Sequence, residues 1–263
     1  MRSLKKWQLF LVSLVLTLVA LQAADKEHLS TSSYNYYVLE ALASMPQGGG
    51  YSTSSLAMAR LSQAVSMSNG KLSITPSRAE PSFCSEAVYL VFLKTILRLQ
   101  EHGLALTSET LTELQPKSEP DGKGLWGRWN ANGPGTARLF NELKLGPNFS
   151  NLAAAQPGDF LKIFWTDAIG AREHGHLVIY LGTEKKDGVP TITFWSSNKS
   201  TNGYGKKSIP QARIRRMIFS RLTTPQNILN ASLLPKTDLY LASLLSRDSS
   251  AEEMKRACGI IDL

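Results

Sequence analysis

The chain contains 263 residues, of which 43% are hydrophobic and 19% are charged, with 12 prolines and 19 glycines. This composition excludes a disordered chain, a collagen-like chain and a protein with several membrane spans. Lysine and arginine total 29 against 21 acidic residues, a formal charge of +8. The basic residues are scattered and lack the interleaved aromatics of a single-strand-binding groove, so the excess does not indicate a nucleic-acid partner.

The first 24 residues have the pattern of a secretory signal peptide. Three basic residues precede the apolar run Leu9 to Leu21, and Ala23-Ala24 follows it. The run is shorter than the roughly 20 apolar residues that a membrane span needs, although a retained single anchor is the alternative. Cleavage would leave 26 basic and 21 acidic residues, a charge of +5. We therefore expect a secreted or periplasmic protein whose membrane contact is limited to the uncleaved signal segment.

Helical patterns dominate the first half of the remaining chain. The segments Tyr34 to Ala43 and Ser54 to Ser68 are each expected to form a helix, with a glycine-rich loop between them. The nearly all-apolar run Val88 to Leu97 follows Pro81-Ser82, which predicts a buried helix whose first turn contains or adjoins Cys84. Unpaired backbone N–H groups and the helix dipole favour a thiolate at that position.

The segment from Glu101 to Ser150 has a mixed pattern and is interpreted as an insertion. It contains glycine, asparagine, Trp126 and Trp129 in an expected ordered loop, and then a helix from Thr136 to Leu143. Tryptophans on glycine-rich loops are candidates for sugar or peptide contacts, with burial in the core as the alternative.

From residue 156 the hydrophobic period changes from 3.6 to 2, which predicts an antiparallel sheet after the helices and therefore an α+β fold. The expected strands are Phe160 to Trp165, 174–182, Thr191 to Asn198 and Ile214 to Phe219. The tail from residue 225 to 263 is expected to form a helical extension of one or two helices, after a main domain over residues 25–224.

A cysteine at a helix start and a histidine at a strand opening are the components of a thiol nucleophile and its base. The thiolate of Cys84 would attack an acyl carbon, and His176 would hold the proton and return it to the departing amine. The alternative for Cys84 is a disulfide with Cys258, since both cysteines belong to the mature chain.

The local sequence around these two residues resembles the NlpC/P60 family of papain-like cysteine peptidases and amidases of the bacterial envelope, which is related to the CHAP amidases. The resemblance is carried by Pro157-Gly158-Asp159-Phe160, by the strand 175–182 that contains His176, and by Cys84-Ser85 ahead of an apolar helix. It implies a papain-like fold in which a nucleophile helix packs on a small antiparallel sheet, with extra helices here. The family's nucleophile corresponds to Cys84 and its base to His176.

The family's third polar residue, which orients the imidazole, lies on the next strand. In an extended strand Phe194, Ser196 and Asn198 share one face. Asn198 can accept the imidazole N–H through its amide oxygen and is our first choice, with Ser196 as the alternative on the same face. A purely structural role for Asn198 at the strand end is the competing interpretation.

Two departures from the family put the usual dipeptide substrate in doubt. Many members have an aspartate before the nucleophile that binds the substrate amine, whereas this chain has Phe83. The insertion is also expected to reshape the cleft. The candidate substrate contacts are the two neighbours of the nucleophile, three residues of the insertion and one residue of the third strand: Phe83, Ser85, Trp126, Arg128, Trp129 and Ser196.

No cofactor or metal is expected. His174 and His176 share a strand face and could form a zinc site with Glu173 or Asp159, but two close histidines without a clear third ligand are usually not a site. We therefore expect a secreted cysteine hydrolase that cleaves an amide bond in peptidoglycan peptides or a related peptide through an acyl-enzyme. The alternative is a catalytically inactive papain-like binding or scaffold module of the cell envelope, which Phe83 would favour.

Overall fold

The computed structural model describes residues 33–261, so the predicted signal peptide lies outside the described residues. In this range the α-helices are α1 (Asn35–Ala43), α2 (Ser55–Ala64), α3 (Cys84–Glu101), α4 (Ser108–Glu113), α5 (Gly124–Trp129), α6 (Gly135–Leu143), α7 (Leu239–Ser243) and α8 (Ala251–Cys258). The strands are β1 (Gly48–Gly49), β2 (Val65–Ser68), β3 (Lys71–Ile74), β4 (Asn148–Phe149), β5 (Phe160–Phe164), β6 (Gly175–Lys186), β7 (Val189–Asn198), β8 (Gly203–Pro210), β9 (Arg216–Ser220) and β10 (Ile260–Ile261). None of these helices is long and apolar enough to cross a membrane.

The main sheet has the strand order β1-β8-β7-β6-β5-β9-β4-β10. Its neighbouring strands pair antiparallel except β4 and β10, which pair parallel. The chain is therefore a mixed helix and strand protein with a mostly antiparallel sheet, as the change of hydrophobic period predicts. The sheet is larger than the small sheet that we expected, because short strands and β8 extend it.

The helix α3 packs on the sheet and lies at the centre of the main hydrophobic core. Its run from Ala87 to Leu93 is fully buried, because the sheet covers one side and α1 and other helices cover the rest. Along β6, Leu177 and Ile179 face this core, whereas Val178 and Tyr180 belong to a second core on the other face of the sheet. This alternation is the period of two that an extended strand imposes.

The expected helix from Ser54 to Ser68 ends at residue 64. The chain then forms the hairpin of β2 and β3, in which Val65 pairs with Ile74. Asn69 and Gly70 form its turn, both with positive φ, at 50° and 71°. An Asn-Gly pair is the preferred two-residue hairpin turn, so what we interpreted as a helix stop is a strand connection.

Three further expectations differ from the structure. The segment 199–205, which follows the expected third strand and was not assigned to a strand, contains a 3-10 helix at Lys199–Thr201 and the start of β8 at Gly203. The tryptophan-containing loop of the insertion contains the short helix α5. The tail forms 3-10 helix from Pro225 to Leu233, the helices α7 and α8 and the strand β10, and the described residues from 34 onward form one compact unit.

Candidate active site

Cys84 is the first residue of α3 and is partly exposed, whereas the following two turns of the helix are buried. The chain enters the helix in extended conformation at Phe83, whose backbone N–H donates to the Glu86 carboxylate at 3.1 Å. This bond satisfies a backbone donor at the helix start, where amides have no intrahelical acceptor. The thiol therefore lies at a fixed helix terminus with free backbone N–H groups beside it.

His176 and Asn198 lie side by side at the adjacent ends of β6 and β7. His176 Nε2 and Asn198 Oδ1 are 2.8 Å apart. The Asn198 amide nitrogen donates to the Ser196 and Gly205 carbonyls, which fixes the amide orientation and leaves Oδ1 as the acceptor. Nε2 therefore carries the proton, and Nδ1 is the nitrogen available to the Cys84 thiol, which lines the same cavity as His176.

Electrostatics around Cys84 favour the thiolate. Burial alone would raise the pKa of the thiol, but the charge and hydrogen bond of His176, the backbone N–H of Leu177 and the Lys162 ammonium lower it, and the resulting pKa is about 7. Because an ordinary cysteine titrates near 8.5, a substantial fraction of Cys84 is ionised at neutral pH.

A cavity of about 300 Å³, here called the thiol cavity, opens in front of Cys84. One wall is the start of α3, another is the start of β6, and the loop 130–133 closes a third side. The backbone N–H of Gly133 donates to Glu173 at 2.6 Å, and its φ of +75° is accessible mainly to glycine. Glu173 thereby connects this loop to the strand that presents His176.

Lys162 and Glu173 form an ion pair that lines the thiol cavity. Their Nζ and Oε1 atoms are 2.6 Å apart, and both side chains are largely buried. Sequence reasoning named Glu173 only as a conceivable zinc ligand and missed Lys162. The signal was present, because a lysine inside the otherwise apolar strand Phe160–Phe164 needs a buried partner.

Tyr51 is a second residue that sequence reasoning missed. It follows the triple glycine and forms a β-bridge with Ser82, two residues before the nucleophile. Burial raises the pKa of its phenol, and the proximity of Cys84 raises it further. The Tyr51 hydroxyl is therefore protonated at neutral pH and able to donate a hydrogen bond.

Three of the six candidate substrate contacts line the thiol cavity, namely Phe83, Ser85 and Trp129. The Ser85 hydroxyl donates to the Asn130 amide oxygen, and the Trp129 indole N–H donates to the Ser85 carbonyl at 3.1 Å. Trp129 is almost entirely buried, so it contributes mainly by supporting the cavity wall.

The other three candidates lie away from the cleft. Trp126 is fully buried in the core. Arg128 is also buried, because its side chain points inward from α5, and it pairs with Glu142 at 2.9 Å. Ser196 is buried and donates to the Leu177 carbonyl at 2.8 Å, so it holds β7 against β6 and is not the imidazole's partner. These placements correct their expected roles as substrate contacts.

Both cysteines are free, and Cys258 is buried in a separate small core. Among the described residues, no three His, Cys, Asp or Glu side chains form a group that could hold a metal. Asp159, one of the acids that we considered as a zinc ligand, is fully buried and binds Arg221 at 2.7 Å. Glu173, the other, is paired with Lys162.

Comparisons with known proteins do not identify this chain. No protein-family model, no curated protein and no solved structure matches it. The functional conclusion therefore rests on the geometry of Cys84, His176 and Asn198 and on their surroundings.

Proposed function

We propose that this protein is a cysteine hydrolase that cleaves an amide bond through an acyl-enzyme on Cys84. The observation that carries the proposal is that the Cys84 thiol and the His176 imidazole line one cavity, while Asn198 fixes the His176 tautomer whose Nδ1 can interact with Cys84. A thiol, a base and a group that orients the base are the components of nucleophilic amide cleavage.

The reaction has two halves. In the first, the Cys84 thiolate adds to the amide carbon, and collapse of the tetrahedral adduct breaks the C–N bond while the His176 imidazolium donates its proton to the departing amine. In the second, His176 takes a proton from water as the water adds to the thioester carbon. Collapse of this adduct releases the carboxylic acid and regenerates the Cys84 and His176 pair.

Two donors beside Cys84 support this mechanism, because the oxyanion of each adduct needs hydrogen bonds. The backbone N–H of Cys84 is at a helix start, where it has no intrahelical acceptor. The Tyr51 hydroxyl is the second donor that we assign. Neither group has to gain or lose a proton in order to donate a hydrogen bond to the oxyanion. Donors of this kind are typical of a preorganised oxyanion site.

We further propose that the fold is papain-like, of the NlpC/P60 type, and that the substrate is a peptide of peptidoglycan or a related peptide. The support is the order of elements, with a nucleophile helix packed on an antiparallel sheet that carries the base and its partner on adjacent strands. The resemblance of the segments around Cys84 and His176 to that family supports the same assignment, and we propose a bacterial envelope location with it.

The test is the pH dependence of iodoacetamide alkylation of Cys84. We expect a midpoint near pH 7 in the parent protein, and a midpoint above 8 in His176→Ala, because the imidazole stabilises the thiolate. Cys84→Ala should abolish alkylation at neutral pH and all hydrolysis of cell-wall peptides while preserving the fold, measured by circular dichroism. Cys258→Ala is the matched control and should change neither the alkylation of Cys84 nor the hydrolysis of cell-wall peptides.

A catalytically inactive binding module is the second candidate, favoured by Phe83 at the position where an aspartate binds the substrate amine in the resembling family. Slow alkylation with the same high midpoint in the parent and in His176→Ala would favour that function. If Cys84 is activated but no cell-wall peptide is hydrolysed, the proposal of a cysteine hydrolase stands and the peptidoglycan substrate is overturned.

A further inference from the structure

A second cavity, here called the basic cavity, adjoins the site on the other side of His176. Its volume is about 450 Å³. His174, Gly175 and His176 line both cavities, whereas Cys84 lines only the thiol cavity. Phe194 and Ile209, which also line the basic cavity, belong to the core on the sheet face opposite α3.

The lining of the basic cavity carries an unbalanced positive charge. Lys199, Lys207 and Arg213 contribute three cations, and no aspartate or glutamate is among the described residues that line it. In the part of the chain that the structure describes, none of these three cations belongs to an ion pair. Lys199 instead lies over the Tyr51 ring, 6.0 Å from its centroid.

The alternation along β8 explains why one of these lysines faces the cavity. Lys207 is half-buried and lies opposite Phe194 on β7, whose side chain also lines the cavity. Its neighbour Lys206 is exposed on the other face and lines a different cavity. The protein therefore places one of two adjacent lysines in the basic cavity, and the other is a natural control.

The chemistry of the proposed reaction assigns a part of the substrate to each cavity. The acyl carbon bonds to the Cys84 sulfur, so the acyl part occupies the thiol cavity. The departing amine receives its proton from His176, so the amine part extends toward the cavity that His176 and Asn198 line.

We propose that the basic cavity binds a carboxylate on the amine side of the scissile bond, so that the preferred substrates are acidic peptides. This inference rests on the proposed function, because it uses the roles of Cys84 and His176. Arginine and lysine side chains that form no ion pair can bind a carboxylate without first breaking one. The tryptophan and tyrosine rings of the lining, Trp165 and Tyr51, provide apolar walls for the rest of that residue.

The test uses two alkylating reagents that differ in charge, iodoacetyl-aspartate and iodoacetyl-asparaginamide. In each, the Cys84 thiolate displaces iodide and forms a thioether, and the amino-acid part then extends on the amine side. The preference is the ratio of the alkylation rate constants for the anionic and the neutral reagent, divided by the same ratio for a free thiol. We expect a preference of about fivefold in the parent protein, which is the effect of about one exposed ion pair. Because exposed charges are screened by salt, 0.5 M NaCl should remove most of this preference.

Variants show which residues cause the preference for the anionic reagent. Lys207→Gln with Arg213→Gln should abolish the preference, whereas Lys206→Gln, which removes a charge from the same strand outside the cavity, should retain it. Equal preference in the parent and in the double variant, with both reagents fast at pH 7, would overturn the carboxylate site and leave the proposed function intact. Slow reaction of both reagents with the parent, at the rate of an ordinary thiol, would overturn the proposed function and the assignment that rests on it.

Discussion

At the scale of single residues, the site depends on an amide that has all its hydrogen bonds satisfied. Asn198 is buried, accepts from His176 and donates to the backbone, so its orientation does not depend on solvent. The imidazole stands between Trp165 and Phe194, with ring centroids 6.4 and 5.7 Å away. These contacts favour the ring orientation in which Nδ1 is available to the Cys84 thiol.

The role of Asn198 can be separated from that of its neighbour on the same face. Asn198→Ala should lower kcat of hydrolysis by at least about tenfold, because the imidazole loses the acceptor that selects its tautomer. Ser196→Ala removes a bond to backbone and not to His176, so kcat should stay within about threefold while stability falls by about 1 kcal/mol. Equal losses of kcat in the two variants would contradict the assignment.

At the scale of elements, the start of α3 combines a nucleophile with a buried acid. Glu86 is fully buried, and the described structure gives its Oε1 no partner. Burial and, to a smaller extent, the nearby Cys84 charge raise the pKa of Glu86 to about 8, against the lowering effect of its bond from Phe83. The folded protein therefore retains a proton on Glu86 at neutral pH.

The consequence is a loss of stability with rising pH. Above pH 4.5 the unfolded chain releases this proton and the folded chain does not, so the free energy of unfolding falls by up to about 1.4 kcal/mol per pH unit until the folded group also ionises near pH 8. Glu86→Gln should flatten this dependence. Urea unfolding at pH 5.5 and 7.5 measures it, and parallel curves for the variant and the parent would refute the explanation.

The elements that could be predicted from the sequence are those with one clear period. The apolar run of α3 and the strand patterns of β5, β6 and β7 were sufficient to predict Cys84 at a helix start and His176 at a strand opening. Their pairing as nucleophile and base came from the family resemblance and stays a prediction. The hairpin β2–β3 was missed because its short strands continue an apolar helix pattern, and Asn69-Gly70 is compatible with both interpretations. Tyr51 was missed because only tertiary packing brings it to Cys84. The apolar strand around Lys162 indicated that this lysine needs a buried partner, but not that it lies near Cys84.

At the scale of the whole molecule, buried charges connect segments that are distant in the chain. Asp159, in the turn before β5, binds Arg221 through both carboxylate oxygens and also accepts from Asn35 in α1. The Pro-Gly-Asp turn that contributed to the family resemblance therefore has a structural role here. It joins the first helix, the sheet and the segment after β9.

This network predicts a large effect on stability. Asp159→Ala should lower the free energy of unfolding by about 3–5 kcal/mol, because Arg221 would remain largely buried without its partner. Asp167→Ala breaks a pair with Arg215 of similar length that is exposed, so its cost should be much smaller than that of Asp159→Ala. Urea denaturation of both variants provides the comparison, and similar costs would show that burial does not determine the strength of the pair.

Two serines give the site a further property. Ser82 and Ser197 exchange hydrogen bonds at 2.9 Å, and they lie two residues before Cys84 and one residue before Asn198. The nucleophile and the imidazole's partner thus share an anchor that forms only after α3 has docked on the sheet, across 115 positions of sequence. During refolding, the neutral-pH reactivity of the thiol should therefore appear only once α3 has docked on the sheet, so that alkylation of Cys84 reports this docking step.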